Sequence, residues 1–486
     1  MKRIKKCLAV VLTVVTCLAC SISLGCGGGT ESGRLEGKYN LEVAVQNESG
    51  EINMMQKWKA AYEAKHPEVN VIINNFGNDD IVGYMQKKAM NQDSLPHMVW
   101  LPDDFGHTFT DPAKGYFIDL RELYEKSADT DYSLYYESML HAASNTGEFR
   151  PTTSYSGSYA GEKSDDAKYG IYFAPRDYNQ IAIVYNKTLF SQLKGLHGID
   201  IADYYNPEDP DSWNMDKFAQ LIQVLNDHIK SMGPTHASYK AIRMNMTWEA
   251  VYTTFVEALG GDGLINDGEI NLGSQKNRAV YDYLWSNFFN EVNKFDINDN
   301  FSKGTTYLTV VSRPLILSYL TYLTDKTSGK IMMDFIPFPA EKVAAGTSGY
   351  GITKKHADDT QTANGVTKTN KEIAWDFIKF ILSEEGQNLG GKEGFIQPIL
   401  KSLKDTGEWR KAFDPAMNHG AWFNGEELRL TTYNSFDASM RTALRTQTSN
   451  FFMNLTNVEN GAPANRDSLI ATYTANLEAV KRGEIL

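Results

Sequence analysis

The sequence predicts an α/β fold built around a mostly parallel sheet, and two observations carry that prediction. In the N-terminal part, short apolar or alternating runs take turns with segments whose apolar residues recur every three to four positions, the signature of strands alternating with helices. The composition is that of an ordinary globular chain, with 42% hydrophobic and 22% charged residues. A sizeable core can therefore form, and 486 residues leave room for two or three domain-sized units.

The elements follow in order. Leu41–Val45 alternates apolar and polar residues and reads as a strand, closed by the polar turn Asn47, Glu48, Ser49, Gly50. Ile52, Met55, Trp58 and Tyr62 then recur at helical spacing until Pro67. Val69–Ile73 is a second strand, Asp80–Asn91 a helix and His97–Trp100 a third strand. Residues 129–168, rich in Tyr, Ser and Gly, interrupt this rhythm and read as a surface insertion, either a plain loop or a tyrosine-bearing lid. Ile181–Tyr185 is a buried strand. Ser212 is placed as the N-cap of a helix with Phe218, Leu221, Ile222, Leu225 and Ile229 on one face. Ser274 precedes a second such face of Val280, Leu284, Phe288 and Val292. Ile331–Phe335 reads as a strand, and Thr369 with Glu372 forms a capping box before Ile373, Phe377 and Ile381. The C-terminal hundred residues read as mainly helical, with no internal repeat or heptad run.

The N-terminus sets the compartment. Lys2, Arg3, Lys5 and Lys6 precede an uncharged, largely apolar stretch from Cys7 to Leu24, and Gly25-Cys26 closes it. That is the order of a secretory signal peptide, here residues 1–25. The other reading is an uncleaved anchor, but no basic stop-transfer cluster follows. Either places the rest of the chain outside the cytoplasm. The four cysteines are Cys7, Cys17, Cys20 and Cys26. Cleavage before Cys26 leaves one, so neither a disulfide nor a cysteine-based metal site can form in the mature chain. The segment ending at Cys26 resembles a lipobox, with Cys17–Cys20 as a weaker rival, and residues 26–40 read as a lipidated, Gly-rich tether. The formal charge of -12 becomes -16 once the four leader Lys/Arg are removed. Such acidity argues against nucleic acid or anionic lipid as a partner.

Catalytic patterns are sought without success. No histidines pair as H-E-x-x-H, and neither a phosphate loop nor a G-x-S-x-G elbow occurs. Ser191–Lys194 fits S-x-x-K without its companion motifs. Asp296, Asn298 and Asn300 have EF-hand spacing, but Phe301 and Tyr307 stand where Gly and Glu are required, so a polar turn is expected. Acidic pairs such as Asp103-Asp104, Asp165-Asp166 and Glu384-Glu385 would serve glycoside hydrolysis only if two carboxylates faced each other across a cleft. No catalytic residue, cofactor or metal is therefore expected, and a lipid-anchored hydrolase stays an alternative.

Six motifs then fall in a recognisable order. They are Leu41–Val45 with its helix and Pro67–Val71; Leu95–Phe105 with Gly115–Leu120; Tyr169–Pro175 with Val184–Phe190; Pro210–Trp213; Gly260-Gly261 with Phe301–Gly304; and Ser348–Gly351 with Ala374–Phe380 and Ser383–Gly386. Over nearly the whole mature chain this resembles the family 1 extracellular solute-binding proteins. The resemblance implies a periplasmic-binding-protein-like fold of two lobes joined by a hinge, with a ligand cleft between them. The chain would cross near Tyr178, Lys330 and Ser383, giving an N-terminal lobe of 41–178 plus 331–383 and a C-terminal lobe of 179–330 plus 384–486. It also implies capture of a small solute, an oligosaccharide above all, and delivery to the permease of an ABC transporter from the outer face of the cytoplasmic membrane. Glycan capture or sensing without transport is the alternative within the same fold.

Ligands of open α/β sheets sit beyond the carboxyl ends of the strands. That rule selects Asn47 and Glu48 after the first strand and Trp100, Asp103 and Asp104 after the third. The resemblance adds Tyr178 and Asn179 near the hinge, Asn245 and Trp248 in the second lobe, Arg313, Tyr350 and Trp422. Pro314 stands where the family often has Trp. Trp58, Trp213, Trp285 and Trp375 are expected in the core. For Trp100, Trp248 and Trp422, cleft and core both stand open. Arg313 either meets an anionic ligand or pairs with a structural carboxylate.

Overall fold

The computed structural model describes residues 33–484 apart from 104–106, 113, 145–146, 153–166, 210–211, 267, 299–300, 394–395, 413, 429, 431–432, 434–435, 437 and 458–461. The chain divides into a short unit, Met1–Glu36, and a large one, Gly37–Leu486. The fold described below is that of the large unit. The leader, Cys26, Asp104 and the middle of the Tyr/Ser/Gly-rich insertion lie outside the described residues.

The first layer is a five-stranded sheet. Strand β1 (Tyr39–Val45) pairs in parallel with β2 (Val69–Asn75) and β3 (Met98–Pro102). Helices α1 (Ser49–Lys65) and α2 (Ile81–Ala89) make the crossovers. Six of the seven residues of β1 are buried, as expected for a strand covered on both faces. Helix α1 turns Met54, Met55, Trp58 and Tyr62 inward, and the Asp80 side chain caps α2 by accepting from Gly83 N. The sheet is completed by β4 (Ala174–Pro175).

The second sheet has seven strands. Its centre is β5 (Asn179–Asn186), followed by helices α3 (Lys187–His197) and α4 (Met215–Ser231), strand β6 (Lys240–Met244), helices α5 (Glu249–Ala258) and α6 (Gln275–Leu284), and strands β7 (Phe295–Asp296) and β8 (Thr306–Ser312). A short α7 (Ile316–Leu320) precedes β9 (Met333–Pro337) and β10 (Lys342–Gly346). The chain then returns to the first sheet as β11 (Ser348–Ile352). The first sheet runs β2-β1-β3-β11-β4. The second runs β12-β10-β5-β8-β6-β7 with β9 also paired to β5, β12 being Glu426–Leu428. Helices α8 (Asn370–Leu382), α9 (Glu384–Lys392), α10 (Ala438–Leu455) and α11 (Pro463–Lys481) complete the chain.

Several expectations are corrected. The first crossing lies between β4 and β5. The second falls at Thr347 rather than Lys330, because β9 and β10 pair with β5 in the second sheet. The return lies beyond Ser383, because α9 packs on the first lobe, where Trp58 Nε1 donates to Gly386 O at 2.7 Å. The helix after Ser212 is capped by Asn214, whose side chain accepts from Lys217 N. Ser212 instead donates to Asp209 O. Val292 leaves the inward face and is 63% exposed. The described part of the 129–168 insertion is no surface loop: Tyr132, Tyr135, Met139, Leu140 and Phe149 are buried in the first core. The capping box of Thr369 and Glu372 forms as expected, and Asp296 Oδ1 accepts from Asn298 N as a polar turn.

Residues 419–423 pack against β5 and β9 of the second sheet. Trp422 packs on Phe335 at 5.0 Å between ring centroids, and His419 stands edge-on to both Phe335 and Trp409. Burial first, then the nearby Arg313 guanidinium, lowers the His419 pKa to about 4. Because this lies below the value of about 6.5 in an unfolded chain, the neutral ring's contribution is complete above that value and is lost as pH falls toward 4. Between pH 7 and pH 5 the wild-type chain should lose about 2 kcal/mol more stability than His419→Gln, read from urea denaturation at the two pH values.

Candidate functional site

The parallel strands of both sheets send their carboxyl ends toward one cleft of about 880 Å³, within the range of small-molecule sites. Gln46 and Glu48 follow β1, Trp100, Pro102 and Asp103 come at the end of β3, Trp248 lies beyond β6, and Ser312 ends β8. Pro314, Leu315, Leu317, Ser318 and Thr321 continue the second wall. The floor is the crossing itself: Arg176, Asp177 and Asn179 on one segment, Gly346, Thr347 and Ser348 on the other.

The floor is held by charge and hydrogen bonds with almost no water access. Glu51, in the first turn of α1, and Arg176 are 7% and 4% exposed. They form a two-pronged ion pair, with Arg176 Nη1 and Nη2 donating to Glu51 Oε1 and Oε2 at 2.6 and 2.7 Å. Tyr350 OH donates to Glu51 Oε1 at 2.8 Å and accepts from Arg176 Nη1 at 2.7 Å. Burial would pull the guanidinium down, but the Glu51 carboxylate outweighs it and Arg176 is held above its ordinary value. Asp177 ties the two crossing segments together. Its carboxylate accepts from Ser348 N at 2.7 Å and Ser348 Oγ at 2.9 Å, and its carbonyl accepts from Thr347 Oγ1 at 2.7 Å. Burial raises the Asp177 carboxyl, against the lowering pull of Arg176 and Ser348. Gly349 lets β4 approach β11: a Cβ there would lie 1.9 Å from Ala174 O.

The walls are polar and aromatic. Trp100 packs on the first core and Trp248 on the second, both half-buried, so each lobe offers the cleft one indole. Trp100 Nε1 and Asn179 Oδ1 are buried and have no hydrogen-bond partner. Buried polar atoms usually have one, so this donor and this acceptor stand unsatisfied on residues that line the cleft. Asp103 Oδ2 accepts from Thr347 N at 2.9 Å. Burial, then repulsion from Glu51, pushes the Glu48 carboxyl up.

Of the residues selected from sequence, Glu48, Trp100, Asp103, Asn179 and Trp248 line this cleft. The others are placed elsewhere. Asn47 is exposed and donates to Gly77 O. Asn245 accepts from Thr247 N and Oγ1 in a turn. Tyr178 is buried between Tyr136 and Phe423, stacked on both. Tyr350 is in the floor network, and Trp422 is fully buried against Phe335. Arg313 is fully buried, donates to the carbonyls of Gly391, Ile396 and Trp409, and lies 4.8 Å over the Trp409 ring. It is therefore withdrawn from the solute, and burial lowers its pKa to about 9. Sequence reading missed Glu51, Arg176, Asp177, Thr347 and Ser348. The signal was present in Arg176-Asp177, a charged pair inside the apolar run Tyr172–Tyr178, since charges enclosed by such a run must be paired. Among the described residues no group of His, Cys, Asp and Glu could hold a metal ion, and no helix is long and apolar enough to cross a membrane.

The two sheets, the double crossing and the cleft at the strand ends define a bilobed binding protein. The family model for bacterial extracellular solute-binding proteins matches residues 48–388, and the chain belongs to that family. Solved structures share the fold at low identity. An ABC substrate-binding protein from Listeria monocytogenes in complex with cycloalternan is 14% identical, with TM-score 0.62, covering 92% of this chain and 99% of that one. The maltose-bound MalE3 of T. maritima is 14% identical, with TM-score 0.61 and coverage of 90% and 99%. An ABC transporter solute-binding protein from Agrobacterium radiobacter K84 in complex with ribitol is 16% identical, with TM-score 0.60 and coverage of 91% and 98%. No curated protein matches the sequence.

Proposed function

We propose that this chain is a lipid-anchored receptor that captures a carbohydrate, an oligosaccharide above all, between its lobes and delivers it to an ABC importer. The observation that carries the reading is the pairing of Trp100 and Trp248 on the two walls of one cleft whose floor and first wall are rich in hydrogen-bonding side chains. Indole faces stack on the apolar C–H faces of a sugar ring, while carboxylates and amides bond its hydroxyls. Among the described lining residues the one cation, Arg176, is committed to Glu51, which disfavours uronates and phosphates. The cycloalternan, maltose and ribitol bound by structures of this fold support a hydroxyl-rich solute, and their description as ABC transporter proteins supports delivery. Closure on the solute would change the surface shown to the permease, coupling capture to transport by population shift.

The test is a thermal-shift screen of sugars, oligosaccharides, amino acids, polyamines and phosphates. A sugar at 100 times its Kd should add about 2.7 kcal/mol, with no product formed after hours. A hit confined to anions would overturn the carbohydrate reading, and product formation would favour the hydrolase. Anchoring rests on Cys26 after the apolar leader. Radiolabelled palmitate should enter the chain in growing cells, and Cys26→Ala should abolish the label.

A further inference from the structure

The charged side chains that line the described cleft are Glu48, Glu51, Asp103, Asp177 and Arg176, four carboxylates against one guanidinium. Three of the carboxylates are occupied. Glu51 holds Arg176, Asp177 holds Ser348 and Thr347, and Asp103 holds the Thr347 amide. Glu48 differs. It stands at the N-cap of α1 without capping it, and its side chain accepts only a long contact from Gln46 Nε2 at 3.5 Å. No described Lys, Arg or His lies within ion-pair distance of it.

Two further observations in the same cleft point to a ligand of particular chemistry. Asn179, also in the lining, has a buried acceptor, Oδ1, with no hydrogen-bond partner, which an N–H or O–H donor would satisfy. Trp100 and Trp248 line the same cleft, and indole rings attract cations as well as apolar C–H. Closure over the solute would remove water from Glu48. Neutral hydroxyl donors would leave its charge uncompensated beside Glu51, whereas a cation would cancel it.

We propose that the cleft selects a saccharide bearing a protonated amine over its neutral counterpart, with Glu48 as the residue that recognises the ammonium group. This rests on the carbohydrate reading above. The raised pKa of Glu48, caused by burial and by Glu51, agrees with a carboxylate that lacks a counter-charge.

The experiment titrates the purified full chain with three β-1,4-linked series that differ only at the sugar's second carbon: chitosan oligomers (amine), chitin oligomers (acetamide) and cello-oligomers (hydroxyl). It is run below the pKa of the amine and at low ionic strength. The expected result is binding of the amine series about tenfold or more tightly than either neutral series, as a desolvated charge pair gives. That ratio should collapse toward one in Glu48→Gln, with the variant's melting temperature unchanged because the Glu48 side chain neither caps α1 nor makes more than the long contact with Gln46. Equal or weaker binding of the amine series overturns the proposal and leaves the carbohydrate reading standing. An amine preference that persists in Glu48→Gln overturns the role of Glu48. Binding by none of the three series overturns the proposal for this backbone, and the wider sugar screen then decides separately whether the carbohydrate reading falls with it.

Discussion

Replacing Arg176 with Met is expected to destabilise the protein by about 3–5 kcal/mol, the cost of removing one partner from a buried ion pair. The guanidinium donates two hydrogen bonds to Glu51 and also donates to Tyr350 and Asp177. Without it, the Glu51 carboxyl is enclosed with no ion-pair partner. Removing both charges should be far milder, because apolar replacement of a buried pair is often near neutral. Arg176→Met combined with Glu51→Leu should therefore recover most of the loss, Asp177 keeping its bonds to Ser348 and Thr347. Denaturant midpoints of the two variants check this. Equal destabilisation by the single and the double variant would show that the network's charge balance is not what holds the floor.

Truncating the two indoles should weaken sugar binding more than any other pair of changes in the walls. Trp100→Ala and Trp248→Ala are each expected to lower affinity about 10- to 100-fold, that is about 1.4–2.8 kcal/mol, since tryptophan in a desolvated pocket is the commonest energetic anchor. Trp100→Ala also removes a ring from Phe76 at 6.3 Å, so it should lower the melting temperature as well. Trp248 packs against the second core from outside it, and its loss should show mainly in binding. Titration calorimetry with the best sugar of the screen, alongside melting curves, separates the two effects. Unchanged affinity in both variants would remove the stacking argument.

What could be read from sequence depended on range. Local patterns were sufficient where the signal is local. The strands Leu41–Val45 and Val69–Ile73, the helix through Trp58 and Tyr62, and the capping box at Thr369 each depend on residues within a few positions, and each formed. The strand-end rule found Glu48, Trp100 and Asp103 because a turn after a parallel strand has little choice of direction. Lobe boundaries failed for the opposite reason. Whether β9 and β10 join the first or second sheet is decided by pairing with β5, some 150 residues earlier in the chain, and nothing local to Ile331–Gly346 states it. Arg313, Tyr350 and Trp422 share one lesson. Polar or aromatic residues in a family's contact segments were expected at the cleft, but of Ser348 and Tyr350, which share one face of β11, Ser348 lines the cleft and Tyr350 is buried behind it on Glu51 and Arg176, while Arg313 is buried on the carbonyls of Gly391, Ile396 and Trp409 and Trp422 on Phe335. The tyrosines of 132–135 were read as loop because their neighbours are polar. Tyr132 stacks on Tyr124, Tyr135 meets it edge-on, and both rings fill the first core.

Hydrogen–deuterium exchange with and without a saturating saccharide tests the central claim most directly, because it reports where the solute is held. The account predicts slowed exchange on both walls and the floor together: residues 48–53 and 100–103 on one side, 246–250 and 312–321 on the other, and 346–348 between them. Protection confined to one lobe, or centred on the separate groove near Lys240, Phe295 and Met453, would contradict capture between the lobes.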